Sequence, residues 1–184
     1  MDPVTIANEA TLIYDNITKN SNAVVTRILS LYDLTATKEA LLDSYTPGQT
    51  ITYITRVENT GSASLYNLTI VDDLANGTLQ YIDTSIEGYL NGSPIEVDVQ
   101  KTANTVTFKI DNVLNPNDNV LIIFETTTPT TNPEQITNTQ TITANGGSTT
   151  GPIVTAKPNP SATVTLANYV TLDITKAVDK TSIY

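Results

Sequence analysis

Hydrophobic and polar residues alternate along most of the chain, and the alternation is most regular between residues 44 and 74. A period of two is typical of a strand with one face in a core and the other in water. The first regular run has one set of positions that we expect to face inward: Ile51, Tyr53, Thr55 and Val57. Pro47-Gly48 before this run and Asn59-Thr60-Gly61 after it predict turns, because Pro presets φ and Gly accepts positive φ.

The second run begins at Leu65 and ends at Asp72-Asp73. Its more apolar face predicts that Tyr66, Leu68 and Ile70 point inward, which leaves Val71 outward. The two strands need not be hairpin partners, since the polar segment between them also suits a crossing to another sheet.

Further strands are predicted at regular spacings on both sides of this central stretch. They cover residues 4–14, 23–29, 78–83, 89–99, 105–110 and 120–125, with the last buried on both faces and with a polar connection between the first two. Asn91-Gly92 suits a hairpin turn, residues 146–160 predict an extended edge segment, and residues 37–42 give a weak helix signal. Short strands in this number indicate a β-sandwich, and its predicted core includes Ile51, Tyr53, Val57, Leu68, Ile70, Ile122 and Phe124.

Segments near both ends repeat patterns found in the middle of the chain. Residues 6–12 match residues 136–142 at an offset of about 130, residues 23–26 match residues 162–165 at about 139, and Leu34 to Lys38 matches Leu172 to Lys176 at about 138. These echoes predict a strand pair like the end of one repeat (1–30), a whole immunoglobulin-like module (31–170), and the opening strand of another repeat (171–184). Chance similarity of Thr-rich strands is the alternative.

Composition narrows the function classes. The chain has neither Cys nor His, which excludes disulfides, thiolate sites and His-based catalytic triads. A net charge of −10 disfavours binding to nucleic acid or anionic lipid. There is no run of 18 apolar residues and no basic start followed by an apolar core, so neither membrane insertion nor a signal peptide is predicted.

The central stretch resembles a known bacterial repeat family. YTPGQTITYITRVENTG followed by LYNLTIVDDL is similar to the conserved repeat domain called domain of unknown function 11, and LNPNDNVLIIF and ITNTQTIT extend the similarity across most of residues 34–170. The resemblance implies an immunoglobulin-like β-sandwich, repeated in tandem on long surface or spore-associated proteins, with no catalytic activity and no cofactor.

One set of residues is a candidate for covalent chemistry. Lys38 lies on the opening strand and Asn138 near the end of the module. This pair resembles the one found in surface domains where a lysine and an asparagine on adjacent strands condense to an isopeptide bond. Asp72 is the candidate third member. The reaction needs a desolvated amine and a nearby carboxyl group. The predicted central strand places no acid inward, so we predict that Lys38 and Asn138 are not crosslinked. The alternative roles are an exposed strand lysine and an asparagine paired to backbone.

Oxygen-rich turns raise the question of calcium. Asp72-Asp73 and residues 111–119, which hold several Asp and Asn side chains, offer carboxylate and amide oxygens, but their spacing fits no EF-hand loop. Turn capping is the ordinary role of such residues at strand ends, and no metal site is predicted.

The sequence therefore predicts a non-enzymatic structural repeat module of a bacterial cell-surface or spore-surface protein. Its expected partners are neighbouring repeats or further copies, added strand by strand into a fibre or stalk. The alternative is an adhesin-type binding module for a carbohydrate or a host protein.

Overall fold

In the computed structural model, which describes residues 4–28, 31–131 and 133–167, the strands form two larger sheets and one N-terminal hairpin. The first sheet contains, in spatial order, β11 (Ser93–Ile95), β10 (Glu87–Leu90), β14 (Asn119–Thr127), β7 (Thr50–Asn59) and β5 (Leu34–Ala40), with β9 (Gln80–Tyr81) also paired to β14. The second contains β12 (Asp98–Lys101), β13 (Val106–Ile110), β8 (Leu65–Asp72), β15 (Gln135–Gly146), β17 (Ser161–Leu166) and β6 (Ser44–Tyr45), with β16 (Ile153–Thr155) also paired to β15. Pairing is antiparallel except between β17 and β6.

The core lies between the two larger sheets and is centred on aromatic rings. Phe124 of the first sheet lies 5.0 Å from Phe108 of the second, measured between ring centroids, and it stacks on Tyr53 at 5.6 Å. All seven predicted core residues are at most 1% exposed. The β-sandwich prediction is therefore confirmed, and the two regular strands of the central stretch, β7 and β8, lie in different sheets.

Two local predictions are wrong, and the weak helix signal over residues 37–42 corresponds to no helix. Residues 37–40, with their weak helix signal, belong to strand β5, because they pair along β7 from Leu34↔Asn59 to Ala40↔Tyr53. Strand β14 buries only alternate residues completely, since its outer face is only partly covered. Tyr66 is half-buried rather than inward, although Leu68 and Ile70 are fully buried as expected.

The predicted turns explain how the chain enters and leaves these strands. Gly48 has φ of 76° next to Pro47, and the N–H of Gln49 closes the turn onto the carbonyl of Thr46 at 3.0 Å. Asn91 and Gly92 both have positive φ between β10 and β11, as a two-residue hairpin of the predicted kind requires. The edge segment predicted within residues 146–160 contains β16.

The N-terminal residues form one long hairpin, where two strands joined by a polar connection were expected. Its strands are β1 (Val4–Asn8), β2 (Thr11–Tyr14), β3 (Ile17–Asn20) and β4 (Val24–Ile28). β1 pairs with β4 and β2 pairs with β3. Half of the expected connection, residues 15–22, is strand, because Asp15 and Asn16 adopt positive φ and make a two-residue turn between β2 and β3. The C-terminal echo, residues 172–176, lies outside the described residues.

The remaining element is a short turn, α1 (Leu74–Gly77), that follows β8 directly. Leu74, Ala75 and Asn76 have φ of 47°, 53° and 57°, so the turn is left-handed. Such a backbone is unfavourable for residues other than Gly. The Asp73 side chain supports it by accepting the N–H of Ala75 at 2.9 Å and the N–H of Thr139 at 3.1 Å.

Candidate functional site

Lys38 is buried in the interior of the sandwich. It lies on β5 directly opposite Thr55 of β7, and its side chain is 0% exposed. Its Nζ atom lies 4.7 Å from the centre of the Tyr53 ring and 5.6 Å from that of Phe124. The lysine therefore extends from the edge strand of the first sheet into the aromatic core.

Asp72 lies in the second sheet and forms an ion pair with Lys38 across the sandwich. It is the last residue of β8 and lies on the same face as Leu68 and Ile70, because side chains two residues apart share a face. Its Oδ2 atom accepts a hydrogen bond from Lys38 Nζ at 2.6 Å, and its Oδ1 atom accepts the N–H of Leu74 at 2.9 Å. Both side chains of this ion pair are 0% exposed.

Asn138 completes the group from β15. Its Nδ2 atom donates to Asp72 Oδ2 over 3.4 Å, while its Oδ1 atom accepts the N–H of Ala75 at 3.2 Å. The residue is 0% exposed. The left-handed turn α1 thus directs a backbone donor at the amide oxygen, where it withdraws electron density from the carbonyl carbon Cγ.

Two further polar residues hold the carboxylate in place. Gln140 pairs directly with Asp72 in the sheet, and its Nε2 atom donates to Asp72 Oδ2 at 2.9 Å. Gln140 Oε1 in turn accepts the hydroxyl of Thr55 at 2.9 Å. Thr55 and Gln140 were not among the candidate site residues. The available signal was the alternation of faces along a strand. Gln140 lies two residues after Asn138 and Thr55 two residues after Tyr53, so each shares a face with its partner.

Burial also changes the acid-base properties of the site. Removal from water lowers the pKa of Lys38 below the ordinary value of 10.5, against the opposing effect of the Asp72 charge. The pKa of the Tyr53 hydroxyl is raised, mainly by burial and further by the negative charge of Asp72. A lowered pKa increases the fraction of Lys38 that carries the neutral, nucleophilic amine.

The structure brings together all three residues of the predicted set. It overturns the premise on which a free lysine was predicted, because Asp72 of β8 supplies the inward acid that the central strand lacks. The alternative of an exposed strand lysine is wrong, since Lys38 is fully buried. Asn138 does bond to backbone, but it also contacts the carboxylate of Asp72.

The oxygen-rich turns at the strand ends cap the backbone. Asp118 Oδ2 accepts the N–H of Asn115 at 2.7 Å, and its Oδ1 accepts the side-chain amide of Asn91 at 2.7 Å. Across residues 4–28, 31–131 and 133–167 no group of three or more acidic side chains is placed to hold a metal ion. Within the same ranges no helix has the length and apolarity needed to cross a membrane.

Comparisons with known proteins give a fold and no family. The sequence matches no protein-family model and no curated protein. Two structures of BcpA, the major pilin subunit of Bacillus cereus, are similar to this chain with TM-scores of 0.56 and 0.53 at 12% and 13% identity, and the match covers 86% of this chain. The full-length major pilin SpaD from Corynebacterium diphtheriae is similar over 70% of this chain with a TM-score of 0.55 at 14% identity.

The chain spans less than half the length of these pilins, with coverage of 47% of BcpA and 33% of SpaD. At this level of identity the likeness concerns the fold. The fold is an all-β, immunoglobulin-like sandwich of the kind found in pilin domains.

Proposed function

We propose that the chain is a structural repeat module of a bacterial surface fibre or stalk, and that an intramolecular isopeptide bond between Lys38 and Asn138 locks it. The observation that supports this most directly is that a buried lysine, a buried carboxylate and a buried asparagine meet at one point. Asp72 Oδ2 lies 2.6 Å from Lys38 Nζ and 3.4 Å from Asn138 Nδ2. A buried Lys–Asp pair seldom stabilises a fold more than apolar residues of the same volume would. Chemistry therefore explains the group better than stability does.

The proposed reaction balances without an external reagent. Lys38 transfers one proton to Asp72, and the neutral Nζ atom attacks Cγ of Asn138, whose oxygen is polarised by the Ala75 N–H. Asp72 protonates the departing nitrogen and takes a proton from Nζ. The Nζ–Cγ bond forms, the Cγ–Nδ2 bond breaks, and ammonia leaves. Asp72 ends as a neutral carboxylic acid, which suits a site that no longer holds a cation.

Such a bond would suit a module that bears load. Lys38 lies in the first sheet and Asn138 in the second, so the bond would join the two sheets and enclose the chain between β5 and β15. The fold shared with pilin domains and the resemblance to tandem surface repeats support a place on the bacterial cell surface or spore surface. The proposal includes no enzymatic turnover, because the reaction consumes its own side chains.

Intact-protein mass spectrometry tests the bond. We expect the purified protein to be lighter than its sequence by one ammonia, and a Lys38–Asn138 linked peptide to appear after proteolysis. Lys38→Ala and Asp72→Ala should each restore the full sequence mass, because the first lacks the nucleophile and the second the proton carrier. Lys101→Ala is the matched control, since Lys101 is an exposed strand lysine bonded to Asp83. A folded wild-type protein with the full sequence mass would contradict the proposal.

Self-association through the N-terminal hairpin belongs to the same proposal. The hairpin exposes apolar side chains, among them Leu12, Tyr14 and Val24, each at least 59% exposed. A hairpin of two strands is marginally stable in water unless it packs on another surface. The rival function, an adhesin-type module for a carbohydrate or host protein, is tested by glycan-array and pull-down binding.

A further inference from the structure

The N-terminal hairpin and the end of the module share one strand arrangement. β15 pairs with β17 along its first half and with β16 along its second half. In the hairpin, β1 pairs with β4 and the following strand β2 pairs with β3. In both units the first length of chain, which is β15 in the module and β1 followed by β2 in the hairpin, pairs at its end with a short strand and at its start with the final strand.

The register of β1 with β4 also agrees with that of β15 with β17. When residues are aligned at the offset of about 130 found in the sequence, Asn8 takes the place of Asn138. Asn8 pairs with Val24, and Asn138 pairs with Ala162, both on the final strand of their unit. The final strands align at an offset of about 138, so the sequence match at 139 is one residue out of register.

The connection between the short and final strands closes in a similar way in both units. In the hairpin the N–H of Ser21 donates to the carbonyl of Ala10 at 2.8 Å. In the module the N–H of Gln140, which is aligned with Ala10, donates to the carbonyl of Pro160 at 2.9 Å. The two bonds lie at adjacent places, because Pro160 aligns with Asn22 at the offset of 138, and donor and acceptor are exchanged.

The environments of the two asparagines differ sharply. Asn138 is 0% exposed because β8 and β5 cover it, whereas Asn8 is exposed. Leu12, which is aligned with the buried Ile142, is 68% exposed. Leu12 and Asn8 therefore lie on the face of the hairpin that corresponds to the buried face of the module. Within the described residues nothing covers them.

We propose that the hairpin is the closing strand set of a second module of the same kind, and that Asn8 is the asparagine of that module's isopeptide bond. The partner surface is a sandwich that supplies a buried lysine and a buried aspartate in the places of Lys38 and Asp72. This inference rests on the proposed Lys38–Asn138 bond. It adds a second modification site and assigns the covering partner of the hairpin. Adjacent modules would then each be covalently closed.

A chimera tests the inference directly. Residues 31–134 are fused to the N-terminal end of residues 5–184, so that Thr5 follows Glu134 and the hairpin takes the place of β15 to β17 in the added copy. We expect a mass lower than the sequence by two ammonia molecules and a linked peptide between the added copy's Lys38 and Asn8. Asn8→Ala in this chimera should leave a loss of one ammonia. Asn20→Ala, which changes an exposed asparagine of the same hairpin, should leave the loss at two.

The outcomes separate this inference from the proposal beneath it. A loss of one ammonia from a chimera in which both copies melt cooperatively would overturn the role of Asn8 and leave the Lys38–Asn138 bond intact. No loss from either the chimera or the natural chain would overturn both.

If the added copy does not fold, a graft in the natural chain decides. Thr137→Ala, Thr139→Glu, Gln140→Ala and Ile142→Leu together give residues 136–142 the sequence of residues 6–12. Retention of the ammonia loss shows that the hairpin sequence works as a crosslinking strand, and its disappearance from a folded graft overturns the inference.

Discussion

Replacing Asn138 by alanine is expected to lower the free energy of unfolding by about 5 kcal/mol from the lost crosslink alone. The bond would close a loop of about a hundred residues, and a crosslink of that span removes about 5 kcal/mol of conformational freedom from the unfolded chain. Equilibrium unfolding in guanidinium chloride measures the change. Thr141→Ala, an exposed position on the same strand, is the control and should change the free energy by less than about 0.5 kcal/mol.

A double-mutant cycle separates the crosslink from the polar contacts that Asn138 makes. Asp72→Asn should abolish the bond while retaining Asn138. In that background Asn138→Ala removes only hydrogen bonds, and the expected cost falls to about 1–3 kcal/mol. An equal cost of Asn138→Ala in both backgrounds would show that no crosslink contributes to stability.

Strand periodicity predicted the core because the sandwich buries alternate residues of each strand. Ile51, Tyr53 and Val57 on β7 were placed correctly by parity alone. The same parity extends along β8 from Leu68 and Ile70 to Asp72, so the inward acid was present in the pattern. Asp72 was named as the candidate third member, but its inward orientation was not predicted, because acidic residues at strand ends usually cap turns, as Asp73 does here.

The parity of β5 places Lys38 on the same face as Leu34, Ala36 and Ala40, but the residue type argued against burial. β5 is an edge strand, where lysine is usually solvated, and the outer face that carries Thr37 and Glu39 is exposed. Burial follows from tertiary packing, because Asp72 lies across the sandwich and the rings of Tyr53 and Phe124 cover the amine. The extent of the hairpin was missed for a local reason, since Asp15-Asn16 lacks the glycine that normally marks a two-residue turn.

The aromatic cluster next to Lys38 links the stability of the core to the chemistry of the site. Phe124 contacts the rings of Tyr53, Phe108 and Tyr81, and its own ring lies 5.6 Å from Lys38 Nζ. Phe124→Ala is expected to lower the free energy of unfolding by about 3–5 kcal/mol, because it removes a fully buried ring and leaves a cavity.

The same substitution should also impair crosslinking. A cavity beside a buried amine and a buried tyrosine hydroxyl has the polar groups that hold water, and hydration would return the pKa of Lys38 towards 10.5. We therefore expect purified Phe124→Ala to be a mixture of crosslinked and full-mass protein.

Leu114→Ala is the matched control for this effect. Leu114 is equally buried and bridges to Leu65, at the opposite end of β8 from Asp72. The free energy of unfolding of Leu114→Ala should fall by about 2–5 kcal/mol, and yet every molecule of this variant should be lighter than its sequence by one ammonia. If Phe124→Ala is as fully crosslinked as Leu114→Ala, the ring contributes to packing alone, and the dryness of the site depends on other groups. If only Phe124→Ala retains full-mass protein, the aromatic core keeps Lys38 reactive by excluding water.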